Sequence, residues 1–382
     1  GSRFFVDQGV PVIRGNNLSF GERRFIDDGF VYLTEEKAQE FRNCEAVPDD
    51  LVFTAAGTIG QVGIIPRNAR YERYIISNKQ LRVRLDTNKA DPRFLFLWFT
   101  TREMRQHIIN KNSGSTIPLI NLGVLRGLPV PVPALAEQRA IAATISAYDD
   151  LIENNRRRMA LLEESARLLY REWFVHLRFP GHEHTRIADG VPEGWEFKPL
   201  SEVAQINQRN LGSTFDGTIE YIDIASVTPN SINETTAYDF RDAPSRARRV
   251  VQHGDILWSC VRPNRRSHAV VWNPPENMVA STGFAVISPS LLLTSFLYQA
   301  VTTDSFVGYL ENHAKGAAYP AVVAGDFERA KILVPSSPLV EAFNEFAEPL
   351  LSHARSLQQQ NQKLRAARDL LLPRLMSGEI TV

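Results

Sequence analysis

The chain has 382 residues, 43% of them apolar, and its 43 basic residues balance 43 acidic ones. That length exceeds one ordinary domain, and the apolar share supports packed cores rather than disorder. No apolar run reaches membrane-spanning length, no signal-peptide pattern opens the chain, and Cys44 and Cys260 sit outside any metal or redox spacing. A reduced, cytoplasmic protein is expected, with no metal site. Zero net charge argues against a general nucleic-acid binder, but the charge is uneven. Residues 1–133 hold 18 basic and 14 acidic residues, and 179–335 hold 13 and 17. Seven of those 13 fall within 241–266, beside only Asp242 and Asp255, so a local basic stripe can focus the field on one face.

In chain order, residues 47–66 carry short β-branched runs punctuated by glycine, and Asp50-Leu51-Val52 has a counterpart in Asp255-Ile256-Leu257. A short helix is predicted at about 92–110 and another at 291–312. Gly114, Pro118, Gly123 and Pro133 then recur as Gly316, Pro320, Gly325 and Pro335, each 202 residues later. So long a period signals two duplicated domains rather than a solenoid.

Each copy ends in a long helical pattern. Alternating steps of four and three from Ile141 land on Ile145, Tyr148, Ile152, Asn155, Met159, Leu162, Ala166, Leu169 and Trp173. The same walk from Leu339 lands on Phe343, Phe346, Leu350, His353, Leu357, Gln360, Leu364, Ala367 and Leu371. A 3.5-residue period means a coiled coil, with Asn155, His353 and Gln360 as polar register setters in the seam. Two independent amphipathic helices, each covering its own domain, are the plainer alternative. Pro349 predicts a bend or restart in the second helix. The expected class is α+β: two duplicated strand-rich domains separated by a long antiparallel two-helix coiled coil. The parts are 1–134, a helix over 135–178, a second domain over 179–337, and a helix with its tail over 338–382.

Four passages carry a family resemblance: VPVPALAEQRAIAATIS (130–146), LLEESARLLYREWF (161–174), PEGWEFKPLSEVA (192–204) and RDLLLPRLMSGEI (368–380). Together they resemble the specificity subunit of type I restriction-modification systems. The resemblance implies a subunit with no catalytic centre and no cofactor of its own. Two target-recognition domains would each read half of a split, asymmetric site in double-stranded DNA, and the helices would fix the unread spacer. Implied partners are two modification subunits, bringing S-adenosylmethionine and adenine-N6 methyl transfer, and restriction subunits using ATP and Mg; the host would be bacterial or archaeal. One departure stands out. The second domain opens with residues 192–217 before IEYIDIASV, whereas the first begins almost at the equivalent VPVIRGNNL (10–18). An opening strand of the first domain is therefore expected to be missing, with Gly1-Ser2 a cloning remnant.

Base readout needs donors and acceptors on side chains, while phosphates need positive charge. In the second domain the candidates are Arg246, Arg248 and Arg249, then Arg262, Asn264, Arg265, Arg266 and His268, with Lys315 beside Gly316. In the first they are Thr54, Thr58 and Gln61; Asn78, Lys79 and Gln80; and Lys111, Ser113, Ser115 and Thr116. CVRPNRRSH also reads as a solvated hairpin tip, and SNKQ also reads as a turn cap. Asn273-Pro274-Pro275-Glu276 lacks the aromatic that adenine methyltransferases place after N-P-P, and GTIGQVG (57–63) is not a dinucleotide fingerprint. Glu35 and Lys37 read as a charged helix start rather than a nuclease site. His107, His176, His182, His184 and His313 show no ligand spacing. The rival to a DNA reader is a coiled-coil scaffold that binds only proteins.

Overall fold

The computed structural model describes residues 2–20 and 25–382. It comprises two compact units, Gly1–Asn154 with Gln360–Val382, and Asn155–Gln359, so each long helix contributes one stretch to each unit.

In the first unit, β1 (Val10–Ile13) lies between β2 (Val31–Leu33), antiparallel, and β6 (Tyr74–Ile76), parallel, and β3 (Glu45–Ala46) closes the far edge against β6. A second sheet places β4 (Leu51–Thr54) between β5 (Val62–Ile64) and β7 (Gln80–Val83). Side chains alternate across a strand, and β4 uses both faces. Leu51 and Phe53 join Phe94, Met104 and Ile108, whereas Val52 joins Ile13, Ala46 and Tyr74. A fully buried aromatic such as Phe53 is worth roughly 1.5–3 kcal/mol over an exposed one. Helix α1 (Glu35–Glu40) starts on the Thr34 cap. The segment expected as one helix at 92–110 is two, α2 (Pro92–Thr100) and α3 (Arg102–Asn110), because the Thr101 hydroxyl accepts the Met104 N–H and caps a new start. Helix α4 (Leu122–Arg126) precedes the long α5 (Leu135–Tyr170).

The second unit repeats this plan with additions. A hairpin of β8 (Ile187–Ala188) and β9 (Val191–Pro192) comes first, followed by β10 (Glu196–Pro199), helix α6 (Leu200–Val203) and β11 (Ala204–Ile206). Then β12 (Thr218–Ile222), the small hairpin β13 (Val227–Thr228) with β14 (Ser231–Ile232), β15 (Thr236–Asp239), β16 (Ala247–Val250), β17 (Ile256–Ser259), β18 (His268–Val270), β19 (Met278–Ser281) and β20 (Phe284–Pro289) follow. Strand order β15-β12-β19-β16 reproduces β2-β1-β6-β3 in order and sense, and β18-β17-β20 reproduces β5-β4-β7. Strand β17 also splits its faces, with Ile256 and Trp258 in one core and Leu257 in the other. The Thr303 cap divides α7 (Thr294–Ala300) from α8 (Asp304–His313), as Thr101 does 202 residues earlier. Helix α9 (Ala324–Arg329), β21 (Lys331–Val334) and α10 (Ser337–Met376) complete the chain.

The additions lie where the sequence departs between copies. Strand β11 pairs with β20, and β10 pairs with β21. Among the described residues the first unit has no strand beside β7 in the corresponding place, and Val130 and Val132, equivalent to β21, are exposed.

The long helices run past each other in opposite directions within each unit. In the first, Asp149 meets Arg368 at 2.6 Å and the Ile152 carbonyl accepts the Asn361 amide at 3.2 Å. In the second, Arg158 approaches His353 at 3.3 Å and Tyr170 meets Phe343 edge-on, ring centroids 5.8 Å apart. At 1.5 Å per residue, α5 and α10, of 36 and 40 residues, are about 54 and 60 Å long. Two expectations need correction. Helix α10 continues without a break through Pro349. The buried stripe of α10 beyond Phe343 keeps the expected Leu357 but otherwise runs through Ala347, Leu351, Ala354 and Asn361, and His353 and Gln360 are exposed. Asn155 is buried.

Candidate nucleic-acid interface

The same carboxylate founds the central sheet of each unit. Asp50 accepts the Val47 N–H at 2.9 Å and a two-pronged Arg84 at 2.9 and 2.7 Å. Asp255 accepts the Gln252 N–H at 2.7 Å, Ser288 at 2.6 Å and Arg209 at 2.5 Å. Both are buried charges satisfied by hydrogen bonds and a guanidinium, as burial demands. They fix where β4 and β17 start, and therefore where the loops after them emerge.

Those loops are laced together by main-chain hydrogen bonds. In the first unit Ala55 N–H donates to the Lys79 carbonyl (2.8 Å), Gly57 N–H to the Pro118 carbonyl (2.9 Å) and Ile120 N–H to the Ala55 carbonyl (2.8 Å). In the second, Cys260 N–H donates to Gly283 (2.8 Å), Arg262 N–H to Pro320 (2.7 Å) and Val322 N–H to Cys260 (2.9 Å). Three sequence-distant loops thus converge at one edge of each unit. In the second unit, Thr282 N–H donating to the Arg246 carbonyl at 2.8 Å brings in a fourth. The shared glycine is a steric need: a Cβ on Gly114 would stand 1.9 Å from the Ile117 carbonyl oxygen.

This lacing collects most of the expected site residues. Thr58, Asn78, Lys79, Lys111, Ser113, Ser115 and Thr116 are exposed around the first cluster, and Arg246, Asn264, Arg265 and Lys315 around the second. Arg248 lies 4.6 Å over the Phe240 ring, Arg249 donates to Asn210 at 2.7 Å, and Arg266 pairs with Asp304. Burial lowers the Arg249 pKa, and the hydrogen bond from Arg266, with its charge, lowers that of Asp304.

Three expected contacts belong to the interior instead. Thr54 is 2% exposed and donates to the Gln61 Oε1 at 3.0 Å, while Gln61 holds the Leu18 carbonyl at 3.3 Å. Gln80 is 4% exposed and accepts from Ser77. His268 is 5% exposed, and its Nδ1 is 3.0 Å from the Tyr298 hydroxyl. That hydroxyl donates to Asn230 at 2.5 Å, so His268 Nδ1 carries a hydrogen. Asn230 in turn donates to Glu163 at 2.9 Å, and its carbonyl accepts from Arg355. Desolvation holds the imidazole pKa down at about 4 and raises that of Glu163. This buried chain ties the second unit's sheet to its stretches of both long helices, which is framework rather than readout.

Sequence reasoning missed Tyr319 and Ile117, the large side chains at the tips of the two Gly–Pro loops, 69% and 58% exposed. Their equivalence at the 202-residue offset was the available signal. Among the described residues no group of three or more His, Cys, Asp and Glu can hold a metal ion, and no helix is long and apolar enough to cross a membrane.

Two copies of one loop-bearing sheet pair, each backed by stretches of two antiparallel helices, define a duplicated recognition protein. The model for the type I restriction modification DNA specificity domain matches twice, over residues 7–164 and 192–361, and the chain belongs to that family. It is 24% identical to the MjaIX specificity subunit of Methanocaldococcus jannaschii, across 98% of this chain and 87% of that one. It is 22% identical to the HindI specificity subunit of Haemophilus influenzae, across 93% and 94%. The crystal structure of the type I S subunit from M. genitalium is similar in fold, with a TM-score of 0.56, 16% identity, and coverage of 98% of this chain and 91% of that one.

Proposed function

We propose that this chain is the DNA-sequence-specificity subunit of a type I restriction-modification complex, reading a two-part asymmetric site with one loop cluster per unit. The observation that carries the reading is the repetition of the laced loop edge in both units, each inside one of the two family matches. Phosphate contacts fall to Arg246, Arg265, Lys79, Lys111 and Lys315, which are exposed and cationic. The long helices form an antiparallel coiled coil that sets the number of unread base pairs. They also dock two modification subunits, which bring S-adenosylmethionine and methylate adenine N6. Restriction subunits using ATP and Mg join that core in the bacterial or archaeal cytoplasm. The chain itself supplies recognition, not chemistry.

Methylation mapping of genomic DNA from cells carrying this chain and its partner methyltransferase tests the reading. The expected result is a split motif whose spacer changes, with both halves unchanged, when seven residues are inserted in each long helix. Changed half-sites with an unchanged spacer would overturn the ruler role. A chain that never associates with DNA in a salt-dependent way would support the protein-only scaffold.

A further inference from the structure

The loops after β4 and β17 each carry two residues in the left-handed region, three apart in the first and four apart in the second, and Gly57 corresponds to Arg262, since their N–H groups donate to the Pro118 and Pro320 carbonyls. The first unit uses Gly57 and Gly60, at φ +94° and +87°, and the second uses Arg262 and Arg266, at φ +53° and +52°. A left-handed conformation costs an L side chain energy that glycine does not pay, and such outliers cluster where function needs them. Arg266 has a structural explanation in its ion pair with Asp304. Arg262 has none: among the described residues no carboxylate lies within 4.0 Å of its guanidinium, whereas Arg84, Arg209, Arg266 and Arg329 each pair with an aspartate. Its guanidinium is nevertheless held, 4.4 Å over the exposed Tyr319 ring with Nη2 donating to the Ala318 carbonyl at 3.1 Å. The two loops are clamped beneath it by the Arg262 N–H to the Pro320 carbonyl.

We propose that Arg262, braced by Tyr319, is a specificity-determining residue that reads one guanine in the half-site of the second unit. This rests on the DNA-reading function above. A phosphate contact needs only charge, which the unstrained Arg265 already offers on the same loop. A planar fork fixed by stacking and a carbonyl suits the O6 and N7 edge of guanine, which takes two parallel N–H donors. The first unit, with Gly57 in that place and Ile117 in place of Tyr319, lacks this reader.

The test uses the complex of this chain with its methyltransferase, carrying Arg262→Gly, Arg262→Lys or Tyr319→Ala, with methylation motifs mapped and duplex binding titrated against salt. Arg262→Gly suits the positive φ, so it is expected to melt no lower than the parent, which separates lost reading from lost folding. All three are expected to relax one G·C position of one half-site by roughly 5- to 150-fold, leaving the other half-site unchanged. Lysine fails with the rest because it keeps the charge but not the fork. An unchanged motif in Arg262→Gly overturns the proposal. So does an equal loss of affinity for every sequence with a shallower salt slope, which makes Arg262 a phosphate contact. If the unsubstituted complex shows no salt-dependent DNA binding, the functional reading itself falls, and this inference with it.

Discussion

His268 makes the stability of the second unit depend on pH in a defined direction. Its imidazole is buried against Trp258 and bonded to Tyr298; desolvation first, then the charges of Arg266 and Arg355, put its pKa at about 4. The unfolded chain has the ordinary value near 6.5, so it binds a proton that the folded chain refuses. Stability from this residue is therefore complete above pH 6.5 and is lost as pH falls toward 4. With these two values the loss is about 2 kcal/mol at pH 5 and about 3 kcal/mol below pH 4. His268→Gln keeps a donor for the Tyr298 hydroxyl but cannot titrate. Guanidinium unfolding of both proteins at pH 7 and pH 5 isolates the effect as the difference of differences, since the carboxylates common to both cancel. The expected outcome is that the parent loses about 2 kcal/mol more than the variant over that interval. Equal losses would refute the buried, neutral imidazole.

Other outcomes follow from the packing. Phe343 touches Tyr170, Trp173, Phe174 and Phe296 and is fully buried; Phe343→Ala is expected to cost about 3–5 kcal/mol, measured by denaturant unfolding. Asp255→Ala leaves Arg209 and the Gln252 N–H without their acceptor, at a cost of about 2–3 kcal/mol, since Arg209 is partly solvated. Asp50→Ala should behave alike in the first unit, where Arg84 is more exposed and the loss smaller. Removing the exposed charges of Arg246 and Arg265 together is expected to lower the slope of log affinity against log salt by up to about two. An unchanged slope takes that loop edge off the DNA.

The duplication was legible because glycines and prolines that a tight loop requires cannot drift, and Gly114 shows why at 1.9 Å. The helices were legible from their period, but the seam of α10 was not. The steps that fit Leu339 to Leu371 miss that small Ala347 and Ala354, with Leu351 and Asn361, are buried one place along from the seam while Leu357 stays on it. Asn361 therefore took the interior role assigned to its neighbour Gln360. The continuity of α10 at Pro349 was likewise hidden, because the cost of one interior proline is outweighed by burial along a helix of 40 residues. For the site, a polar residue near a loop reads as a reader in the sequence, and three such residues, Thr54, Gln80 and His268, are buried instead. Thr54 and His268 lie on strands whose neighbours are almost all buried, and a single sequence cannot separate a polar side chain at a strand end from one at a loop tip. Arg262 was in view, but the need for a glycine-like backbone beneath it appears only in the dihedral angles.

The rungs between the tips are mostly amide-to-carbonyl bonds, with a few more from side chains such as Asn112, Gln61 and Arg262. The other side chains on the tips can therefore be rewritten with the frame in place, and one unit can change its text while the other keeps its own. On the proposed DNA-reading function, exchanging 57–60 for the tip of a related chain, or 262–267 likewise, is expected to transplant half a motif.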